Sequence, residues 1–291
     1  MPARTRATTI AVDGVELFVQ TFGAPTDATV MLIAGGAQSM IWWEDEFCVR
    51  LSRAGRHVIR YDHRDTGQST TSPLGRPDYS SQELVDDPIR ILDAMGVHSA
   101  HLVGLSMGGG IAQHLALGHP GRVRSLCLMA TSPAVPSASQ RQLPPPAPRV
   151  MATFTDPQPE PDWTDRDAVV AFRVEAERPF AGDLGFDEVR TRRLAALEVN
   201  RTRDMRASMS HHSLLTGGPS IVEAGIDQIT APTLVIHGTT DPMFPLEHGQ
   251  ALAADIPGAR LMPLIGVGHQ QPPPPLWEPV LSAMLGNTAR Y

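Results

Sequence analysis

Residues 100–117 read "AHLVGLSMGGGIAQHLAL". An apolar run of extended character (100–105) meets an apolar helical run (106–120). At the junction, "GLSMG" (104–108) sets Ser106 between Gly104 and Gly108. Strand, G-x-S-x-G, helix is the context that a nucleophile elbow requires. Such a turn holds its serine in a strained backbone conformation at the strand end. It presents the hydroxyl outward, with the positive end of the helix dipole behind it. The flanking glycines make room, because side chains there would collide with the neighbouring strand and helix.

Working outward, "ATVMLIAGG" (28–36), "HVIRYD" (57–62) and "VRSLCLMA" (123–130) are short, nearly continuous apolar runs that read as buried strands. Between them, 43–55 and 80–96 carry helical periodicity and end in glycine. Pro88 interrupts the second of these: either the helix kinks there or, the favoured account, a fresh helix starts with Asp87 as its cap and Pro88 at its first position. "VDGVELFVQTFG" (12–23) reads as an opening hairpin about Asp13-Gly14. Strand–helix alternation with apolar strands implies a mostly parallel sheet covered by helices on both faces.

The alternation stops at Thr131. A stretch rich in proline, alanine and serine follows (133–148), then helical segments at 165–178 and 186–203 with no strand between them. Alternation resumes with a strand at 232–238, a helix near 246–254, a strand at 259–266 and a helix near 276–285. The expected organisation is an α/β core, 1–132 and 227–291, with a helical cap or lid, 133–226, inserted after the sixth strand. Such an insertion lies over the carboxyl edge of the sheet, where open α/β sheets bind ligands. The proline tracts 144–146 and 272–275 read as stiff loops.

A net charge of −7 over 291 residues provides no bulk basic surface, which disfavours nucleic acid as a partner. No run approaches the ~20 apolar residues of a membrane helix, and the basic N-terminus lacks a signal-peptide core. The chain is read as cytoplasmic, a monomer or homodimer. Cys48 and Cys127, both in apolar stretches, read as buried free thiols. Spacings such as CxxC pairs or HExxH are absent, and "GLSMGGG" lacks the GxGxxG pattern of a dinucleotide site. Neither a metal nor a cofactor is expected.

A serine hydroxyl needs a base, and the base needs an acid to orient it. On this architecture they follow in the order Ser, Asp or Glu, His. "LVIHGTTDPMFP" places Asp241 in the loop after one strand, and "LMPLIGVGHQ" places His269 after the next. The other histidines compete less well: His237 ends a strand, His248 sits on what reads as a surface helix, His114 and His119 lie on or past the elbow helix, and His211 and His212 read as surface residues of the insertion. Oxyanion donors are expected from the amide of Met107, directly after the serine, and of Gly36 in the glycine-bearing loop after "MLIA". Ala37, Trp42, Met243 and Phe244 are expected to touch substrate. Trp43 and Met40 lie near the same mouth, where core packing explains some of these residues equally well.

The loop at 34–37, "YDHRDTGQS" (61–69), "GLSMGG", "HGTTDPMFP" (237–245) and "GVGH" (266–269) together resemble the serine-type α/β-hydrolases, over about residues 10–286 apart from the insertion. "YDHRDTGQST" and "AGGAQSMIWWEDEF" are most similar to the aclacinomycin methylesterase group, whose members remove a methyl ester from anthracycline polyketides. The resemblance implies Ser106, Asp241 and His269 as triad, Met107 and Gly36 as oxyanion amides, and a small hydrophobic ester as substrate. It departs from the family at Ala34, where a loop-bracing histidine is usual, and at Asp65, where glycine is usual. Asp62, Arg64 and Asp65 are expected to brace loops beneath the site. The same triad supports perhydrolysis, lactone opening, C–C hydrolysis and amide hydrolysis, and a non-catalytic small-molecule binder on this fold is a further alternative.

Overall fold

The computed structural model describes residues 5–137, 139–215 and 224–289. Eight strands, β1 (Thr5–Val12), β2 (Val15–Phe22), β3 (Ala28–Ile33), β4 (Arg56–Tyr61), β5 (Ala100–Leu105), β6 (Val123–Met129), β7 (Thr233–Gly238) and β8 (Arg260–Leu264), form one sheet in the order β1-β2-β4-β3-β5-β6-β7-β8. β1–β2 and β2–β4 are antiparallel and the remaining pairs are parallel. Asp13 and Gly14, both at positive φ, close the β1–β2 hairpin.

The parallel strands are apolar throughout because both faces of the sheet are covered. Side chains alternate between faces with a period of two. Met31, Ile33, Leu102, Leu126 and Leu128 join one core, with residues of α2 (Ser81–Ala94), α3 (Met107–Gly118) and α8 (Leu246–Asp255). Val30, Leu32, Val103, Leu105, Cys127 and Met129 join the other, with α1 (Asp45–Arg53) and α9 (Trp277–Thr288). Trp43 belongs to this second core, against Phe47, rather than to the ligand mouth. Cys48 and Cys127 are buried free thiols, and burial pushes both pKa values up.

Between β6 and β7 lie four helices and no strand among the described residues: α4 (Pro148–Thr155), α5 (Arg166–Glu177), α6 (Glu188–Arg201) and α7 (Met205–Leu214). Residues 216–223 of the expected cap fall outside the described residues. No helix among the described residues is long and apolar enough to cross a membrane.

One expectation is corrected. Pro88 does not start a new helix: α2 runs unbroken through it, and Asp87 is not a cap. The helix starts in a Ser80–Glu83 capping box. Asp87 is fully buried and receives Arg64 through Nε at 2.8 Å and Nη2 at 2.9 Å. Packing of Leu84, Val85, Ile89, Ile91 and Leu92 offsets the one backbone bond that Pro88 cannot donate.

The Asp87–Arg64 pair gives a test of the frame. Asp87→Ala removes the bidentate partner of a buried guanidinium, leaving it only the 3.3 Å ion pair with Glu83, and is expected to cost about 3 kcal/mol of unfolding free energy. Asp93→Ala, which removes an exposed partner of Arg122, is expected to cost about 1 kcal/mol or less. Urea denaturation of both variants measures the difference.

Candidate active site

The elbow is built by close backbone approach. Ser106 sits at φ 51°, ψ −117°, between β5 and α3. A Cβ on Gly104 would fall on the backbone of Gly108, and one on Gly108 would lie 2.5 Å from the Ile33 carbonyl oxygen. The Ser106 amide donates to Met129 O at 2.9 Å, and Thr131 Oγ1 donates to Ser106 O at 2.8 Å. These bonds tie the turn to the end of β6.

The loops after β5, β7 and β8 bring three side chains together. His269 Nε2 lies 2.9 Å from Ser106 Oγ, and His269 Nδ1 lies 2.9 Å from Asp241 Oδ2. Asp241 Oδ1 accepts the amides of Met243 at 2.9 Å and Phe244 at 2.8 Å. Burial would raise the Asp241 pKa, but the adjoining His269 and His237 and the Phe244 amide outweigh it and hold the carboxyl below its usual value. His237 donates from Nε2 to Phe244 O at 2.7 Å, which fixes the same turn.

The segment between α5 and α6 reaches this group. Phe180 O accepts the His269 amide at 2.9 Å, and the rings of Phe180 and Phe244 flank the imidazole at centroid distances of 5.8 and 5.4 Å. Phe180 carries no motif, and only the folded chain reveals it.

The loop after β3 can be accounted for amide by amide. Ala37 donates to His212 Nδ1 at 3.1 Å, Gln38 to Gly35 O at 3.4 Å, Ser39 to Glu198 Oε1 at 2.8 Å and Met40 to Asp62 Oδ1 at 2.9 Å. Among the described residues the amides of Gly35, Gly36 and Met107 have no acceptor. Gly36 and Met107 are neighbours, since a Cβ on Gly36 would lie 3.7 Å from Met107 Sδ.

The residues expected to touch substrate have further duties here. The Met243 and Phe244 amides hold Asp241, and the Ala37 amide is bound by His212. Trp42 donates to Glu198 Oε1 at 2.9 Å under the Arg173 guanidinium, 4.5 Å from its ring. With Phe180, Phe186, Leu194, His269 and Gln271 it lines a cavity of about 20 Å³, room for a water molecule. A larger cavity of about 680 Å³ lies on the far side of Leu194, lined by Phe18, Met40, Leu197 and Arg201 among others, and includes neither Ser106 nor His269.

The charged loop residues brace the site as expected. Asp62 is buried and takes both Nη atoms of Arg201, at 2.8 and 2.6 Å. Asp65, at φ 67°, accepts Ser72 N, Tyr79 Oη and His211 Nδ1. This overturns the surface reading of His211 and His212. His211 is fully buried, and its Nε2 accepts the Gly75 amide at 2.9 Å. His212 reaches the loop after β3. His248 is likewise buried, between Ser132 Oγ and Pro144 O. Among the described residues no group of three or more His, Cys, Asp or Glu could hold a metal ion.

A parallel sheet in this order, with these side chains on its carboxyl edge, defines a hydrolase scaffold, and the chain belongs to the α/β-hydrolase fold family, whose sequence model matches residues 28–271. Within it, the chain is 36% identical to rhodomycin D methylesterase DauP of Streptomyces sp. strain C5, over 99% of this chain and 98% of that one. It is 35% identical to rhodomycin D methylesterase DnrP of Streptomyces peucetius over the same shares. The likeness to methylesterases expected from the loop motifs is thus borne out. The enol-lactonase from Burkholderia xenovorans LB400 superposes with a TM-score of 0.73 at 23% identity, covering 97% of this chain and all of that one, and shares the fold.

The buried histidines set a pH dependence. Burial lowers His63, His101 and His212 from 6.5 to about 4. Each is neutral in the folded protein and binds a proton on unfolding between those values. Their stabilising contribution is complete above pH 6.5 and falls as the pH drops toward 4, by up to about 1.4 kcal/mol per pH unit for each group. Denaturant midpoints at pH 7, 6 and 5 are expected to decline in that order.

Proposed function

We propose that the protein hydrolyses carboxylic esters through a serine acyl-enzyme. Its proposed substrate is a hydrophobic ester, with the methyl ester of a polycyclic aromatic polyketide as the leading class. The hydrogen-bonded series Ser106–His269–Asp241, two contacts of 2.9 Å from three separate loops, carries this reading. The methylesterase relatives support the ester class.

In the mechanism, Ser106 Oγ attacks the ester carbonyl while His269 Nε2 takes its proton. Asp241 accepts from Nδ1–H, which fixes the tautomer and stabilises the imidazolium. The amides of Gly36 and Met107 receive the oxyanion. The alcohol departs with the proton from His269. Water then attacks the acyl-enzyme, giving its proton to His269, and the carboxylate leaves as Ser106 regains a proton.

Residues 133–226 act as a cap over this site. A polycyclic acyl group needs a pocket on the order of 300 Å³ or more, against about 20 Å³ beside His269. Binding therefore displaces cap residues, and Trp42, Phe180, Phe186 and Leu194 are the apolar surface the substrate meets first. Ala37, Met243 and Phe244 border the reacting atoms from the core side.

The test compares wild type, Ser106→Ala and Asp241→Asn on p-nitrophenyl esters and aromatic methyl esters, with fluorophosphonate labelling. The alanine variant is expected to lose labelling and about 10⁴-fold or more in kcat, and the asparagine variant a comparable amount. Hydrolysis surviving in Ser106→Ala would refute the mechanism. A wild type that labels at Ser106 yet turns over no ester would favour a binding protein.

A further inference from the structure

The loop that offers the Gly36 amide is not held by its own strand neighbours alone. Ala37 sits at φ 56°, a left-handed conformation that a residue with a side chain keeps only when its surroundings enforce it. The bond enforcing it directly is Ala37 N–H to His212 Nδ1, between residues 175 positions apart. The ring has one competent state for this task. Nδ1 can accept only if Nε2 carries the proton, and Nε2 lies 3.0 Å from Arg64 O, which accepts it.

The surroundings favour that neutral ring. Burial foremost, joined by His63 and His211, lowers the His212 pKa to about 4 against the opposing effects of Arg64 O and Asp65. A protonated ring would point a donor at the Ala37 donor. On the other side of Gly36, the Ala34 carbonyl oxygen lies 3.1 Å from His63 Nε2, and the His63 ring meets His212 edge-on at a centroid distance of 5.7 Å. Two histidines in edge-to-face contact therefore hold the loop on both sides of Gly36. This supplies the bracing that a side chain at Ala34 cannot.

We infer that His212 is a positioning residue for oxyanion stabilisation: α7 supplies the acceptor that orients the Ala37 amide and so aims the adjoining Gly36 amide at the reacting carbonyl. The inference rests on the ester-hydrolase reading. Its consequence is that the cap takes part in building the oxyanion site as well as covering it. The contact acts on the charge developed in the transition state and not on ground-state binding, so its loss falls on kcat rather than KM.

The experiment uses the full chain with His212→Ala and His212→Asn. An asparagine carboxamide oxygen can occupy the Nδ1 position and accept from Ala37, but it cannot reach Arg64 O as Nε2 does. Steady-state hydrolysis of p-nitrophenyl acetate, the rate of fluorophosphonate labelling and thermal unfolding are measured for both variants and wild type. The expected result is a kcat about 10- to 100-fold lower in His212→Ala, labelling slowed in parallel, KM little changed, and most of both rates recovered in His212→Asn. Wild-type kcat and labelling in His212→Ala would overturn the inference. Equal losses in both variants that track a fall in melting temperature would also overturn it, by showing that His212 only seats α7. A wild type that neither hydrolyses nor labels would bring down the ester-hydrolase reading and this inference together, an outcome distinct from an active wild type with an equally active alanine variant.

Discussion

The site depends on the distance at which α3 starts from β3 and β5. At Gly104 and Gly108 the backbones approach so closely that no Cβ can be accommodated. That contact forces Ser106 to positive φ, lifts its side chain off the sheet edge and brings the Met107 amide beside the loop after β3. The strand order then does the rest. β5 is central, β3 lies on one side, and β6, β7 and β8 follow on the other. The loops that carry Gly36, Asp241 and His269 therefore open along one edge. A single side chain at either glycine would shift Ser106, His269 and the amides of Gly36 and Met107 relative to one another.

Around that centre, buried charge joins the cap to the core. Glu198 is fully buried and serves Arg173, Ser39 N and Trp42 at once, while Asp62 serves Arg201, Met40 N and Gln68 N. Glu44 receives Arg190 and Arg193. Desolvating these groups is costly, and hydrophobic residues of similar volume could match them for stability. Their value lies in direction. A carboxylate with fixed partners holds a backbone amide at one orientation, and the loop after β3 contains two amides held in this way, Ser39 and Met40, beside Ala37, which His212 holds. The cost of burying ions is met where the backbone must not move.

The core was legible because its information is local. Two-residue alternation, helix stops at glycine and the strand–G-x-S-x-G–helix junction are all readable in short windows, and the order Ser, Asp, His follows from the topology. The cap contacts were not legible. "SMSHHSLL" has no motif, since the partners of His211 and His212 are single backbone groups at Gly75 and Ala37, far away in the chain. Phe180 acts on His269 mainly through a carbonyl oxygen that any residue would possess. Pro88 misled for a related reason. The local rule against proline inside a helix is sound, but the burial of five apolar neighbours and the capping box at Ser80 outweigh one missing hydrogen bond.

The closed state of the site follows from the same division of labour. α6 and α7 are fastened to core loops by ion pairs and histidine bonds at Asp62, Asp65 and Ala37. The segment 178–186 between α5 and α6 meets the core through neutral bonds, His269 N to Phe180 O, Leu184 N to Gly266 O and Asp183 N to Thr240 Oγ1. Neutral bonds of this kind contribute about 1 kcal/mol each, whereas breaking a buried ion pair costs several times that. The side of the insertion that fastens the loop after β3 is thus the expensive one to displace, and the segment beside His269 is the cheap one. Under the proposed function, a substrate too large for the present cavity lifts Phe180 and its neighbours while the bonds at Asp62, Asp65 and Ala37 stay in place. On that reading, access and preorganisation fall to different segments of one insertion.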